Sequence, residues 1–393
     1  MLSDRRCLLV ANYEADRRPW NGVPYECLQV IAGIEDADIL TPKGRQSFVN
    51  ADLSTETLTA ELRFRAARRA RRELTGRHTP LLQETEVAED YDILFYVCQF
   101  IEEVQEIEQL RNWRERSAIA VIFLLEGWTS TFPRYGREIA LLSRFDHVFV
   151  LNGSSVAALQ QRVRCPVTQL NTACDALQAA PTVPPPARSI DMICFGRWNT
   201  RHQPDLIRFA AERGLFYYHD IWRGLRSEDW PAVRLRNAQL IRRSRHYLVW
   251  EPAAWHQSWN DGRGRDVALS TRYFEGAAGG AVLVGSAPKG CPEFDDAFDW
   301  PDAVVELGDD PAGVLAALEA EPLRQLRART LNVVNTLRRH DWAHRWAEVM
   351  DTLGQGLTEA HRARLARLDQ MAAQIDTQPA RRAGLHSLQG GLA

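Results

Sequence analysis

Short apolar runs recur along the chain, and stretches with the apolar spacing of helices separate them. Most runs are apolar throughout rather than alternating, which is typical of parallel strands covered by helices on both faces. The order strand–helix–strand therefore predicts an α/β fold with doubly wound parallel sheets. The runs that predict strands are Cys7–Asn12, Asp92–Val97, Ile119–Leu125, His147–Leu151, Val167–Leu170, Met192–Phe195, Phe216–Tyr218, Tyr247–Trp250, Ala281–Val284 and Val304–Leu307.

The pattern breaks at Ala179–Ser189, which holds four prolines and no regular periodicity. Pro184–Pro186 can continue neither a helix nor a central strand, so this stretch predicts a semi-rigid linker. The predicted organisation is a Rossmann-like N-terminal domain (1–178), a proline-rich linker (179–189), a Rossmann-like C-terminal domain (190–353), and a C-terminal helix with a tail (354–393).

Composition fits a globular protein of two or three domains, because the chain has 393 residues with 45% hydrophobic and 25% charged residues. The net charge of −3 gives no bias toward nucleic acid, so no nucleic-acid partner is expected. The seven cysteines are scattered without a Cys-x-x-Cys pair, which fits a reducing compartment. The longest apolar run is far shorter than a membrane span, and the start does not resemble a signal peptide. A cytoplasmic location is therefore expected.

The segment Ser270–Gly285 carries the most informative pattern. Arg272 and Glu275 are three positions apart and share one face if this segment is helical. The small residues Gly276–Gly280 leave room for a backbone or a ligand, and the buried-strand run Val282–Val284 follows. This combination indicates a polar ligand beside the charged pair, and a helix end with a surface ion pair is the alternative.

The same segment resembles the R-x-F-E-x-x-A-x-G element of GT-B glycosyltransferases, of the bacterial group-1 and CgeB-like type. The resemblance covers most of Met192–Leu353 and is looser over the first domain. It implies a GT-B fold, in which two Rossmann-like, doubly wound domains face a cleft, the acceptor domain first and the nucleotide-sugar donor domain second. A helix near the C-terminus often crosses back to the first domain in this fold, and Asp341–Leu353 and Thr358–Ile375 both qualify.

For the donor, the resemblance implies that Glu275 binds the ribose hydroxyls. Gly196 and Arg197 match the first positions of the family's G-R-x-x-x-K phosphate element, and Arg201 or His202 stands in for its lysine. Glycine lets the backbone approach a diphosphate, and guanidinium groups supply forked donors to it. A polar turn with solvated arginines is the alternative.

Aromatic residues and a glycine-rich loop precede the main motif. Trp250, Trp255 and Trp259 are placed to stack on a base or a sugar face, with core or rim packing as the alternative. The loop Asn260–Gly264, with Asn260, Asp261 and the nearby Asp266, is a candidate for contact with the donor sugar or an ordinary flexible loop. Many group-1 members carry a glutamate where this chain has Val267, which weakens any inference about stereochemistry.

In the first domain, Glu126 directly follows a buried strand and is the candidate catalytic residue. A carboxylate at the carboxyl end of a strand is well placed for acid–base chemistry or for holding a sugar hydroxyl. An acid that only favours a helix N-terminus is the alternative. The loop after the first strand adds the polar candidates Asn12, Glu14 and Asn21, or is a plain surface loop.

The expected function is transfer of a sugar from a nucleotide-diphosphate-sugar donor to an unknown acceptor, which is a glycan, a small molecule or a protein. The resemblance implies a metal-independent reaction with no cofactor other than the donor substrate, and retention is the expectation for group-1 enzymes. A nucleotide-sugar epimerase or hydrolase on the same fold and a non-catalytic GT-B-like binding protein are the alternatives. The arginine-rich stretch Glu61–His78 is interpreted as a solvated helix, with peripheral contact to an anionic membrane or an anionic acceptor as the alternative.

Overall fold

The computed structural model describes residues 5–44, 80–196, 199, 201–220, 229–250, 266–288 and 291–377, with the single positions 63, 66, 67, 70, 73 and 74. The chain forms two compact units. The N-terminal unit comprises Asp4–Gln169 with Gly224–Trp230, and the C-terminal unit comprises Met1–Ser3, Leu170–Arg223 and Pro231–Ala393.

The N-terminal unit is built on a parallel sheet. Its strands are β1 (Arg6–Ala11), β2 (Asp36–Leu40), β3 (Thr85–Glu86), β4 (Tyr91–Phe100), β5 (Leu110–Arg111), β6 (Ser117–Glu126), β7 (His147–Val150) and β8 (Val167–Gln169). Six of them pair in the order β2-β1-β4-β6-β7-β8, and β3 pairs separately with β5. The central strands β4 and β6 are buried almost throughout, because both faces of the sheet are covered.

Helices of the N-terminal unit connect these strands and cover the sheet. The α-helices are α1 (Gly22–Ala32), α2 (Gly136–Leu142) and α3 (Gly153–Gln160), and 3-10 segments span Pro19–Asn21, Ile101–Gln109 and Thr129–Arg134. The segment Ile101–Gln109 follows β4 directly and places Ile101, Val104 and Ile107 in the core. It therefore fixes the chain just beyond the carboxyl end of β4.

The C-terminal unit contains a second parallel sheet. Its strands are β9 (Ile190–Phe195), β10 (Tyr217–Asp220), β11 (Ser244–Val249), β12 (Val282–Gly285) and β13 (Val305–Glu306), paired in the order β10-β9-β11-β12-β13. Each strand run predicted from the sequence corresponds to an observed strand in one of the two sheets. The predicted α/β class with two parallel, Rossmann-like sheets is confirmed.

Nine helices of the C-terminal unit lie within the described residues. They are α4 (Ala176–Ala179), α5 (Gln203–Glu212), α6 (Trp230–Arg242), α7 (Thr271–Ala278), α8 (Pro292–Ala297), α9 (Pro311–Glu319), α10 (Pro322–Arg339), α11 (Trp342–Thr352) and α12 (Glu359–Asp376). The two candidates for a crossing helix are α11 and α12, and both belong to this unit. Arg364 of α12 pairs with Asp341 at 2.8 Å and with Asp175 at 2.7 Å, which ties α12 to the cap of α11 and to the segment before the linker.

Candidate functional site

Polar side chains gather where β1, β4 and β6 end in the N-terminal sheet. These three strands are neighbours, and parallel pairing brings their carboxyl ends to one edge. Glu126 ends β6, and its two carboxylate oxygens accept hydrogen bonds from Gln99 Nε2 at 3.0 Å and from Trp128 Nε1 at 2.9 Å. The carboxylate is half-buried and held in a fixed orientation, as a catalytic acid–base group requires.

Asn12 lies beside this carboxylate edge, directly after β1. Its Nδ2 donates to the Tyr96 hydroxyl at 2.9 Å, and that hydroxyl donates to the Glu103 carbonyl at 2.8 Å. The Oδ1 of Asn12 and the Oε1 of Gln99 are buried and accept no hydrogen bond from any described residue. Since buried polar atoms are nearly always paired, these two oxygens indicate where a donor such as a sugar hydroxyl or a water binds.

Glu103 is a member of this cluster that sequence reasoning missed. It is buried in the 3-10 segment after β4, and its Oε2 accepts a hydrogen bond from the Gln99 backbone N–H at 3.2 Å. Burial, helped by the nearby Asp16 carboxylate, raises the pKa of Glu103 to about 8. The side chain therefore holds a proton at neutral pH, and Gln99 contacts both this group and Glu126. An acidic pair directly after an apolar strand was the available signal.

Two loop candidates of the N-terminal unit have structural partners. Glu14 forms an ion pair with Arg17 at 2.5 Å. Asn21 is buried, and its Nδ2 donates to the Asp16 carbonyl at 2.6 Å, which closes the loop after β1. Their partners assign both residues to the shape of the loop, whereas the Oδ1 of Asn12 accepts no hydrogen bond within the described part of the chain.

In the C-terminal unit, Gly196 and Arg272 come together at the carboxyl end of β9. Gly196 has a φ of 67°, and a Cβ placed there would lie 2.5 Å from Arg272 Nη2. The Arg272 guanidinium has no hydrogen bond or ion pair with any described residue. It lies in the first turn of α7, whose Ser270 cap accepts from the Arg272 backbone N–H at 3.5 Å. A glycine turn, an unpaired guanidinium and a helix N-terminus together make a site suited to an anion.

Glu275 lies one turn further along α7 and has a different partner. Its Oε1 accepts from Arg234 Nη1 at 2.8 Å, with both side chains about one-eighth exposed (13% and 12%). The pair holds the carboxylate in place and leaves it accessible on one side. The ion pair is therefore with Arg234 on α6 rather than with Arg272.

Tyr247 of β11 is a second residue that the sequence did not single out. Its hydroxyl is buried and has no hydrogen-bond partner among the described residues. Burial raises the pKa of Tyr247 and the charge on Glu275 raises it further, so the group is a neutral phenol close to Glu275 and Arg272. A neutral hydroxyl without a partner next to these charges can donate to a ligand oxygen.

The small-residue patch after Glu275 serves core packing. A Cβ at Gly276 would lie 2.3 Å from Tyr247 Cδ1, and one at Gly279 would lie 2.4 Å from Ile241 Cγ2. At Gly276 and Gly279 the space predicted for a backbone or a ligand is therefore filled by side chains of β11 and α6. Gly280 differs, because a Cβ there would lie 2.8 Å from Val333 Cγ2 and 3.1 Å from Arg188 Nη2. The close approach to Arg272 is at Gly196.

The remaining donor candidates lie apart from this arrangement or outside the described residues. Arg201 is exposed and pairs with Asp309 at 2.5 Å. Trp250 is 2% exposed and stacks on His202, with ring centroids 5.5 Å apart and planes at 16°. This geometry is that of core packing. Arg197, Trp255, Trp259, Asn260, Asp261 and most of 61–78 lie outside the described residues.

Within the described part of the chain, no three His, Cys, Asp or Glu side chains are grouped so that they could hold a metal ion. Over the same residues, no helix has both the length and the apolar character needed to cross a membrane.

Residues 206–351, from α5 to α11, match the family model Glyco_trans_1_2, described as "Glycosyl transferase-like". The glycosyltransferase resemblance expected from the sequence is confirmed at this level, and the CgeB-like subtype is not. The match and the two parallel sheets agree with the GT-B plan. No curated protein matches the chain by sequence.

Solved structures resemble the chain at low identity. It is 8% identical to TarM, covering 66% of this chain and 54% of TarM at a TM-score of 0.41. It is 12% identical to a trehalose 6-phosphate synthase from Burkholderia multivorans, and the match covers 89% of this chain and 96% of that protein at a TM-score of 0.47. It is 8% identical to a UGT transferase from Siraitia grosvenorii in complex with UDP, and the match covers 89% of this chain and 100% of that protein at a TM-score of 0.35. The chain thus spans about half the length of TarM. With TM-scores below 0.5, these likenesses assign no substrate and no residue role.

Proposed function

We propose that this protein is a glycosyltransferase that transfers a sugar from a nucleotide-diphosphate-sugar donor to an acceptor hydroxyl. The family match over residues 206–351 supports the reaction class. The observation that carries the proposal is that the Arg272 guanidinium lies against Gly196, at the carboxyl end of β9, and has no hydrogen-bond or ion-pair partner among the described residues. Open parallel sheets bind their ligands at this edge, and a diphosphate is the group that such a site neutralises.

The C-terminal unit holds the donor in this proposal. Arg272 and the first turn of α7 bind the diphosphate, and they stabilise the charge that develops on it as the glycosidic bond breaks. This role of Arg272 makes the reaction independent of a metal ion. Glu275, fixed by Arg234 at 2.8 Å, accepts hydrogen bonds from the ribose hydroxyls. The Tyr247 phenol donates to a ligand oxygen nearby.

The N-terminal unit supplies the group that acts on the sugar or the acceptor. Glu126 is the proposed catalytic carboxylate, because its two oxygens are oriented by Gln99 and Trp128. The unpaired oxygens of Asn12 and Gln99 receive hydroxyl donors from the sugar or the acceptor. Retention at the anomeric carbon, the group-1 expectation, is tested by NMR of the product.

The test is a thermal-shift screen of nucleoside diphosphates and their sugars against the wild type, Glu275→Ala and Glu212→Ala. A ligand at 100 times its dissociation constant stabilises by about 2.7 kcal/mol, which raises the melting temperature by a few degrees. We expect one nucleotide family to give this shift in the wild type and in Glu212→Ala, whose side chain is exposed at the far end of α5. The shift should be lost in Glu275→Ala.

Two alternatives are separated by adding turnover to this screen. A nucleotide-sugar epimerase or hydrolase consumes the donor without an added acceptor. A binding protein that has lost its chemistry gives the thermal shift with no turnover under any condition. No shift with any nucleotide would contradict the proposed donor site.

A further inference from the structure

A pocket lies next to the proline-rich linker, at the opposite edge of the C-terminal sheet from Gly196. We call it the linker pocket, and its volume is about 350 Å³. Its wall includes Arg188, two residues before β9, Arg245 at the start of β11, and Gly280, two residues before β12. Since all strands of this sheet are parallel, these positions mark its amino-terminal edge. The linker pocket is therefore separate from the proposed donor site at the carboxyl edge.

One side of the linker pocket is apolar. Pro181, Pro185 and Pro186 come from the linker, and Leu326 and Val333 come from one face of α10. Ile375, near the end of α12, completes this side. Ligand sites are typically concave and mostly apolar with a few convergent polar groups, and a volume of several hundred Å³ suits a small molecule.

The other side of the linker pocket carries three arginines, and among the described residues only Arg245 has a carboxylate partner. Arg245 pairs with Asp191 at 3.2 Å. Arg188 donates to the Ser244 carbonyl at 2.5 Å, and Arg329 donates to Gln325 Oε1 at 2.8 Å. Neither Arg188 nor Arg329 has a carboxylate partner among the described residues, and Arg329 Nε is buried without any hydrogen bond.

Two positive charges therefore lie close together and partly withdrawn from water. Burial together with the nearby Arg329 charge lowers the pKa of Arg188 to about 9, and burial together with the Arg245 charge lowers the pKa of Arg329 to about 10. Both groups still carry their charge at neutral pH. Arg188 and Arg329 are half-buried, and charges withdrawn from water are normally paired. Two neighbouring guanidinium groups with no carboxylate partner among the described residues therefore indicate an anion as their natural partner.

We propose that the linker pocket binds a small organic oxyanion, a phosphate or carboxylate group carrying an apolar body. Arg188 and Arg329 hold the oxyanion with their forked donors, and the proline and α10 side chains cover the apolar body. This site is independent of sugar transfer and of the donor site at Arg272.

The test is isothermal titration calorimetry of the full chain with four probes: hexyl phosphate, hexanoate, inorganic phosphate and hexanol. We expect hexyl phosphate or hexanoate to bind with a stoichiometry of one. Hexanol lacks the charge and inorganic phosphate lacks the apolar body, so each should bind at least about tenfold more weakly than the better amphiphile.

Variants of the wall locate the binding. Arg329→Met should weaken binding by about 10- to 100-fold, because a charge-assisted hydrogen bond is lost. It removes a half-buried charge that has no ionic partner among the described residues, so we expect its melting temperature to equal or exceed that of the wild type. The matched control is Arg327→Met, an exposed arginine on the same helix, which should bind like the wild type. Arg272→Met should also bind like the wild type.

Each contrary result overturns the proposal. If neither amphiphile binds the wild type at millimolar concentration, the pocket is not an anion site, and this result requires no variant to fold. If hexanol or inorganic phosphate binds as tightly as the amphiphiles, the stated ligand class is wrong. If Arg272→Met abolishes binding and Arg329→Met does not, the anion occupies the donor site.

Discussion

The carboxyl edges of the two parallel sheets carry opposite kinds of chemistry. At the N-terminal sheet, Glu126 is held by two donors, and Glu103 beside it holds a proton because burial raises its pKa to about 8. At the C-terminal sheet, next to a glycine turn, Arg272 presents a guanidinium that no described residue pairs with. One edge is suited to moving protons and the other to holding an anion, although the strands are arranged on the same plan.

The sheet therefore determines where a site lies, and the residues at the end of each strand determine the chemistry of that site. In both units the site follows parallel strands at their carboxyl ends, as the fold requires. The chemistry depends on whether a carboxylate or a glycine ends the strand, Glu126 after Leu125 or Gly196 after Phe195. The side chains, and not the shared fold, therefore determine the function.

The largest expected effect is on the rate of sugar transfer, when Glu126→Gln changes the carboxyl edge of the N-terminal sheet. Gln99 Nε2 and Trp128 Nε1 both donate to this side chain, so an amide NH₂ in the same place would face one of these donors. We expect sugar transfer to fall by about 10²- to 10⁴-fold, the range for general acid–base groups. Donor binding in the thermal-shift screen should not change, because the donor is held by the other unit.

Steady-state kinetics with the matched control Glu115→Gln, an exposed glutamate of the same unit, checks this result. Unchanged kcat in Glu126→Gln would remove the carboxylate from the reaction and weaken the contrast between the two edges.

The next effect concerns the C-terminal edge, through Arg272→Met. Loss of the guanidinium should reduce kcat/KM by about 10²- to 10³-fold, because it stabilises charge that develops on the leaving diphosphate. Nucleoside diphosphate affinity should fall as well, which Glu126→Gln does not cause. Titration calorimetry with the nucleoside diphosphate measures this difference, and the exposed Arg208→Met serves as the control. Equal affinity in Arg272→Met and the wild type would place the diphosphate elsewhere.

Much of the fold could be predicted because buried parallel strands leave a direct record in the sequence. Continuous apolar runs such as Ile119–Leu125 appear as β6 and its neighbours. β2 was not predicted, because it lies at the sheet edge and has the mixed sequence DADIL with no fully buried residue. Edge strands face solvent on one side, so their pattern is weak.

The candidate site was only partly predictable, for a different reason. Arg272, Glu275 and Gly196 carried a motif, but their partners did not. Arg234 is 41 positions before Glu275 and reaches it only through the packing of α6 on the sheet. The raised pKa of Glu103 arises from burial that no local pattern reveals.

A smaller effect is expected in the dependence of stability on pH, which tests whether Glu103 is protonated in the folded protein. The pKa of Glu103 is about 8 in the folded protein, against an ordinary value of 4.5, so the folded state binds more protons than the unfolded state between these values. Its contribution to stability is fully present below about pH 4.5 and is lost as pH rises through about 8. In Glu103→Gln this dependence of the free energy of unfolding on pH should disappear. The variant should therefore be more stable than the wild type above pH 8.

Urea unfolding at pH 5, 7 and 9 measures the change. The difference in the free energy of unfolding between the variant and the wild type should vary by a few kcal/mol over this pH range, since each pKa unit corresponds to about 1.4 kcal/mol. Glu108→Gln, at an exposed position of the same 3-10 segment, should keep the wild-type slope. A difference that is independent of pH would mean that Glu103 is ionised in the folded state.

The smallest effect compares the glycines that follow two interior strands, Gly127 after β6 and Gly196 after β9. A Cβ at Gly127 would meet Leu124 Cδ2 and Val150 Cγ2 at 3.0 Å, a tight apolar contact with no strain in φ. At Gly196 the φ of 67° disfavours alanine by about 1 kcal/mol, and the Cβ would displace Arg272 Nη2. Both alanine variants should therefore unfold at slightly lower urea concentration. Only Gly196→Ala should also weaken nucleoside diphosphate binding, by a few-fold, because the guanidinium moves. Equal affinities in the two variants would show that Arg272 does not depend on the glycine beside it.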